Sequence, residues 1–286
     1  MKSRVFIVLI AFLMGGLLSI LSTNKTDLAV GRKDFYIHKT SVNHVALRRT
    51  VLLAVSAACL LESLLVPMAS SEPKLIALTF DDGPSLEYTP KVLKILDRED
   101  VKATFFLVGK WLPGKRALVE QMVQDGQQIG NHTFDHVKLN GLSEAEIHSE
   151  IHRGNAALAD YTGLTNTVFM VRPPYGVRSG TVLSAIDAPV VLWTLDPAAG
   201  QQVPGNKMAK FVVSRAKDGD IILLHDTTQY NLDAVEPIIQ ELKAKGFTFV
   251  TVEELFRRKG VTPEDGVAYK RIVGARQSRF DELPAW

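Results

Sequence analysis

The chain has 286 residues, 46% hydrophobic and 22% charged, enough apolar text for a sizeable core and too much for a disordered chain. Formal net charge is +2, but 8 of the 33 Lys and Arg and 3 of the 31 Asp and Glu lie in the first 69 residues, leaving 25 basic against 28 acidic side chains in the body. That body gives no polyanion-binding signal and argues against a nucleic-acid partner; the single Cys59 lies in an apolar stretch, so the folded part has no thiol for a disulfide framework or a thiolate metal site.

Residues 5–21, VFIVLIAFLMGGLLSIL, follow Lys2 and Arg4 and carry no charge, the pattern of a signal peptide or a short membrane span. Residues 51–68, VLLAVSAACLLESLLVPM, follow Arg48 and Arg49 and lead into Ala69, Ser70 and Ser71, and resemble a second export signal. If both spanned, the basic loop holding Lys25, Arg32, Lys33, Lys39, Arg48 and Arg49 would face outward, against the positive-inside rule. The expectation is a true start near residue 45 with the second stretch as export signal; a two-span membrane anchor is the alternative. Residues 1–71 are thus expected to be a signal or anchor region, with the remainder outside the cytoplasm: periplasmic, secreted or membrane-anchored.

From residue 74, short apolar runs alternate with amphipathic segments, the pattern of βα units around a parallel sheet. The expected strands are 75–80, 103–108, 128–130, 168–171, 190–195, 221–224 and 247–250. Helices are expected at 90–97, 115–124, 144–159, 179–186, 207–217, 234–245 and 253–258. Ser143 followed by Glu146 forms a capping box, and Gly246 marks a helix stop. Seven units in so short a span predict an α/β fold, an irregular (β/α)7-type barrel over residues 72–258, although an open doubly wound sheet shares the local pattern. Residues 259–286 are expected to form a polar tail or a short extension.

In such folds the carboxyl ends of the strands converge on one rim, and five polar clusters fall there: Asp81-Asp82, NHTFDH (131–136), RPPYG (172–176), Asp196 and His225-Asp226. His132 and His136 are spaced to share one side of a helical turn or tight loop; with one carboxylate they make a nitrogen and oxygen set suited to Zn2+ or another divalent ion. Adjacent side chains at a strand end diverge, so one aspartate of the pair would face the metal and the other stay free as a general base. Arg172 would orient or balance that base, with Pro173, Pro174 and Gly176 stiffening its loop. His225 is a candidate general acid, and Asp196 either pairs with it or caps the turn at Pro197.

Taken in order, TFDDG, HTFDH, RPPYG, WTLDP and ILLHD resemble the polysaccharide deacetylases of the NodB-homology type, carbohydrate esterases that remove N-acetyl or O-acetyl groups from chitin, peptidoglycan and xylan. The resemblance covers residues 72–258. It implies Asp81 as general base, Asp82, His132 and His136 as ligands of a divalent metal, usually Zn2+, and Arg172 beside the base. It further implies the Tyr175 backbone N–H as an oxyanion donor, Leu223 in the acetyl-methyl pocket, and His225 as the acid that protonates the departing amine. Where the family commonly shows Asp-x-x-Asp-Trp, this chain has Asp196-Pro197-Ala198-Ala199-Gly200; another aromatic, Trp111 or Tyr230, would then replace the missing tryptophan wall. The expected activity is N-deacetylation of an acetylated glycan of the chitooligosaccharide or peptidoglycan type. The alternatives are O-acetyl ester or non-sugar amide hydrolysis at the same site, or a carbohydrate-binding chain without turnover.

Overall fold

The computed structural model describes residues 73–274; both hydrophobic amino-terminal stretches, and the export or anchor role expected of them, lie outside these residues. Among the described residues no helix is long and apolar enough to cross a membrane.

The run LIALTF builds the central strand, β1 (Lys74–Gly83), nearly all of it buried, as a parallel strand covered on both faces requires. Its alternate residues face two different cores. Ile76, Leu78 and Phe80 pack into the larger cluster shared with the helices. Leu75 and Ala77 face the smaller cluster with Phe106, Val191 and Ile221. Thr79 and Asp81 continue that second row by strand alternation, which carries a polar and then an ionisable group along the interior toward the rim.

Around β1 stand β2 (Thr104–Leu107), β3 (Gln128–Asn131), β4 (Val190–Val191), β5 (Asp220–His225) and β6 (Phe247–Val250). The main sheet runs β3-β2-β1-β5, with β6 also on β1, all parallel. Single bridges carry the wall onward from Asn131 to Val171, from Val171 to Val190, and from Leu195 to Ile222, which makes the α/β sheet barrel-like. The strand expected at 168–171 shrinks to the bridge at Val171, because Pro173 and Pro174 follow and supply no N–H. The strand expected at 190–195 breaks after Val191; the N–H groups of both Thr194 and Leu195 donate to the Ile221 carbonyl, at 3.0 and 3.3 Å, so two residues oppose one as at a bulge.

The helices are α1 (Thr89–Arg98), α2 (Arg116–Gln124), α3 (Glu144–Thr162), α4 (Gly180–Ser184), α5 (Gly205–Arg215), α6 (Gln229–Ala244) and α7 (Val252–Arg258). Ser143 and Glu146 close the expected capping box on α3, which ends at Gly163 with φ 72°, a conformation that suits glycine. Helix α6 starts earlier than expected, because the Thr228 side chain accepts from the Asn231 N–H and caps it.

The expected polar tail is instead packed as far as Ile272. Ala268–Tyr269 (β7) pairs with β4, Tyr269 and Ile272 are buried in the inner cluster, and Arg271 Nε lies 2.5 Å from Asp220 Oδ1 at the start of β5. Val261, Val267, Ala268, Tyr269, Ile272 and Val273 fall in short groups between polar residues and set no lasting period, so the sequence pattern concealed this return.

Candidate active site

The two adjacent aspartates part company through a local irregularity of β1. Pairing with β2 shifts register between Asp81 and Gly83, and Asp82 takes φ 69°. Asp81 thereby stays in the interior row, only 3% exposed, while Asp82 turns toward the histidine loop. A Cβ on Gly83 would meet Asp226 Oδ1 at 2.5 Å, so glycine lets the turn close on that carboxyl.

His132 leaves β3 and His136 ends a tight loop in which Thr133 and His136 have φ 65° and 55°. The loop is held from below. Asn131 Oδ1 accepts from the Thr133 N–H at 2.8 Å, while Asn131 Nδ2 donates to Ile151 O and Asn155 Oδ1 on α3. A Cβ on Gly154 would come within 2.4 Å of that amide; only a glycine lets α3 approach so closely. Asp135 N–H donates to Glu150 Oε2 at 2.8 Å.

The result is convergence. His132 Nε2 and His136 Nε2 stand 3.3 and 3.0 Å from Asp82 Oδ1, and the three candidate ligand atoms lie within 4.8 Å of one another. The Arg172 carbonyl is 2.6 Å from His132 Nδ1; it accepts the proton there and leaves Nε2 free as a donor atom. Burial opposes ionisation of Asp82, yet the His132 and His136 imidazoles hold its carboxyl far below the usual range. Burial likewise pulls His132 down, but the Asp81 and Asp82 charges outweigh it and raise it. The observation that fits a cation is Asp82 Oδ1 itself: a buried oxygen that accepts no hydrogen bond although two imidazole nitrogens point at it. One carboxylate and two imidazoles fit Zn2+ or a similar divalent ion with positions left open.

Arg172, fully buried, holds the other aspartate. Its Nη1 donates to Asp81 Oδ1 at 2.7 Å and to Thr79 Oγ1 at 2.8 Å, its Nε to Val191 O and its Nη2 to Leu192 O. The guanidinium lies over the Phe106 ring, 4.1 Å from its centroid. Asp81 Oδ2 is 3.8 Å from His132 Nε2, so the carboxylate borders the cation site from the interior.

His225 stands across from the histidine loop, its Nε2 3.8 Å from Asp82 Oδ2. Leu223, buried, occupies the same face of β5 two residues earlier. Tyr175 sits in the short turn Pro174–Gly176 with φ 61°, its ring exposed and tilted against His136 at 5.2 Å. Trp111 also stacks on His136, with ring centroids 5.8 Å apart. Asp196 caps its own turn: Oδ1 accepts from the Ala198 and Ala199 N–H groups at 3.1 and 2.7 Å.

Residue-by-residue reading missed Thr79 and gave no role to Asn131 and Asp226, which it placed on the rim only as members of their clusters. Asp226 is buried, one oxygen accepting from the Thr89 hydroxyl and the other without a partner. Burial pushes its pKa up to about 7 against the Thr89 hydrogen bond, with smaller help from Asp82 and Asp81. A folded pKa above the unfolded value means that its contribution to stability is full below about pH 4 and is lost as pH rises to about 7. In metal-free protein Asp226→Asn, which keeps the neutral shape, is expected to flatten that decline and to raise the urea midpoint at pH 8. A lower midpoint than wild type at pH 8 would contradict this.

The sequence matches the family described as polysaccharide deacetylase over residues 69–188. It is similar to peptidoglycan-N-acetylglucosamine deacetylase PgdA of Listeria monocytogenes, 37% identical over 194 residues that make up 68% of this chain and 41% of that protein. The chain therefore spans less than half the length of that relative. It is also similar to a peptidoglycan-N-acetylglucosamine deacetylase of Bacillus cereus, 35% identical, over 65% of this chain and 90% of that one. Among solved structures, a family 4 acetyl xylan esterase from Clostridium thermocellum in complex with a cobalt ion superposes with a TM-score of 0.66 at 34% identity, covering 70% of this chain and 99% of that one. Identity at this level across nearly the whole of the Bacillus cereus relative and of the Clostridium thermocellum structure, on a fold that gathers the matched motifs at one rim, places the chain in the polysaccharide deacetylase family.

Proposed function

We propose that the protein is an exported, metal-dependent hydrolase that removes N-acetyl groups from an acetylated glycan of the chitooligosaccharide or peptidoglycan type, and that residues 72–258 with the packed segment through Ile272 form its catalytic domain. The observation that carries this reading is the divided aspartate pair: Asp82 among two imidazoles with an unpartnered buried oxygen, and Asp81 beside it held by Arg172.

Asp82, His132 and His136 would hold a divalent cation, best matched by Zn2+, which when bound polarises the carbonyl and eases deprotonation of water. Asp81 takes the proton of the attacking water as the new C–O bond forms. Arg172 aims Asp81 through the hydrogen bond from its Nη1. The Tyr175 backbone N–H donates to the charge developing on the carbonyl oxygen, and Leu223 meets the acetyl methyl group. His225 then gives a proton to the nitrogen as the C–N bond breaks, so acetate and a free amine leave. Asp196 shapes its turn through the bonds from the Ala198 and Ala199 N–H groups.

Acetate release from chitooligosaccharide, peptidoglycan and acetylxylan, with and without chelator, tests this reading. Chelator-sensitive release from an N-acetylated polymer is expected. Release from acetylxylan alone would transfer the function to O-acetyl esters, and glycan binding without any release would make the chain a binding protein.

A further inference from the structure

Of the histidines among the described residues, His132, His136 and His225 stand at the rim. The other two have no part in it. His148 and His152 lie one turn apart on α3, both exposed, with ring planes 14° and centroids 6.3 Å apart. Residues four apart on a helix share a face, their Cβ atoms about 5–6 Å apart, and two imidazoles so placed can reach one ion. A carboxylate joins them from elsewhere in the chain. Asp187, in the turn between α4 and β4, brings Oδ2 to 3.3 Å from His148 Nε2.

We propose that His148, His152 and Asp187 form a second, weaker site for a divalent transition-metal cation of the Zn2+ class, outside the active site and independent of the reaction carried out there. Donor chemistry is the first reason: two imidazole nitrogens and one carboxylate oxygen suit Zn2+ and its neighbours rather than Ca2+ or Mg2+, which take oxygen ligands. The neighbouring cation is drawn away from the place. Arg153 pairs with Asp135 at 2.9 Å and with Glu150 at 3.4 Å, and its guanidinium lies over the Phe134 ring. On the inward face of the same turns Ile147, Glu150 and Ile151 are buried, which fixes the backbone and keeps the outward pair at its spacing. The ligand atoms are gathered less closely than those of Asp82, His132 and His136, which lie within 4.8 Å of one another. The exposed rings must therefore turn between staggered rotamers to close on the ion, and that ordering lowers the affinity. Once closed, the ion ties α3 to the turn before β4. Because α3 also accepts the Asn131 amide protons and the Asp135 N–H, the clamp steadies the helix that backs the histidine loop.

Calorimetric titration of the metal-free full-length chain with Zn2+ tests the site. A tight and a weaker binding event are expected; His148→Ala and His152→Ala should each weaken only the second, by about a hundredfold, since the second imidazole of a chelating pair binds within the molecule. Asp187→Asn should weaken it by a smaller factor, and Asp82→Asn should weaken the tight event while leaving this one intact. Stability gives a second readout. Zn2+ at about a hundred times the weaker Kd should raise the urea midpoint of the wild type further than that of either histidine variant. In chelator the three proteins should share one midpoint, because the exchanged side chains are exposed. A titration in which no event responds to His148→Ala or His152→Ala would overturn the site and leave His148 and Asp187 as a surface ion pair. A weaker event that Asp187→Asn does not alter would overturn the three-ligand set.

Discussion

Asp81→Asn is expected to bind its divalent ion with close to wild-type affinity and to release acetate about a hundredfold more slowly, or worse. The side chain is nearly isosteric, and the proposed cation ligands are Asp82, His132 and His136, whose atoms converge without it. The amide oxygen can still accept from Arg172 Nη1 in place of Asp81 Oδ1, but the buried guanidinium loses its counter-charge, so the variant should fold with a lower urea midpoint than wild type. What disappears is the capacity to take a proton, and loss of a positioned general base costs about 10²–10⁴ in rate. Asp82→Asn is the informative partner: it weakens the oxygen donor set at the point where both imidazoles meet, so metal and activity should fall together. Metal content after dialysis and acetate release, measured on both variants, separate the two roles. An Asp81→Asn protein with normal turnover would show that neighbouring carboxylates are not divided between base and ligand, and the mechanism would need another base.

The sequence exposed those features whose signal is local. Uninterrupted apolar runs identify β1 and β5 because both faces are covered, and the Ser143 box fixes the start of α3 to the residue. The rim rule then locates Asp81, Asp82, His132, His136, Arg172 and His225 together, since parallel strands must point their carboxyl ends the same way. What stayed hidden acts through space. Thr79 is one alternation before Asp81, yet only the fold shows that both bond one guanidinium. Asn131 looks like a strand-end residue until α3 arrives to accept its amide protons. Asp196 carried two open roles in the sequence, and only the fold shows its bonds from two backbone N–H groups a few residues on. The inner strands near Val171 and Leu195 dissolved into single bridges because prolines and a bulge interrupt their ladders, an outcome that apolar content alone does not encode.

Arg172→Leu is expected to destabilise the protein by about 3–5 kcal/mol, as breaking a buried ion pair from one side usually does. The guanidinium is fully buried, and it serves Asp81, Thr79 and two backbone carbonyls at once. Removing it strands a carboxylate that is itself 3% exposed and leaves the Val191 and Leu192 carbonyls short of a donor, each such orphan costing about 1–3 kcal/mol. Burial lowers the Arg172 pKa while the Asp81 charge opposes it; the pair therefore survives burial as a unit, each charge being the other's solvent. That logic makes the double variant diagnostic. Arg172→Leu combined with Asp81→Asn no longer buries an unpaired charge, so its urea midpoint should lie above that of Arg172→Leu alone, even though it carries one more substitution. Arg172→Lys keeps the charge but not the planar fork that reaches Thr79, Asp81 and both carbonyls, and should fall between wild type and Arg172→Leu in stability. If the double variant were instead less stable than Arg172→Leu by the cost of Asp81→Asn alone, the two groups would be independent, and Arg172 would be a packing residue rather than the anchor of the catalytic base.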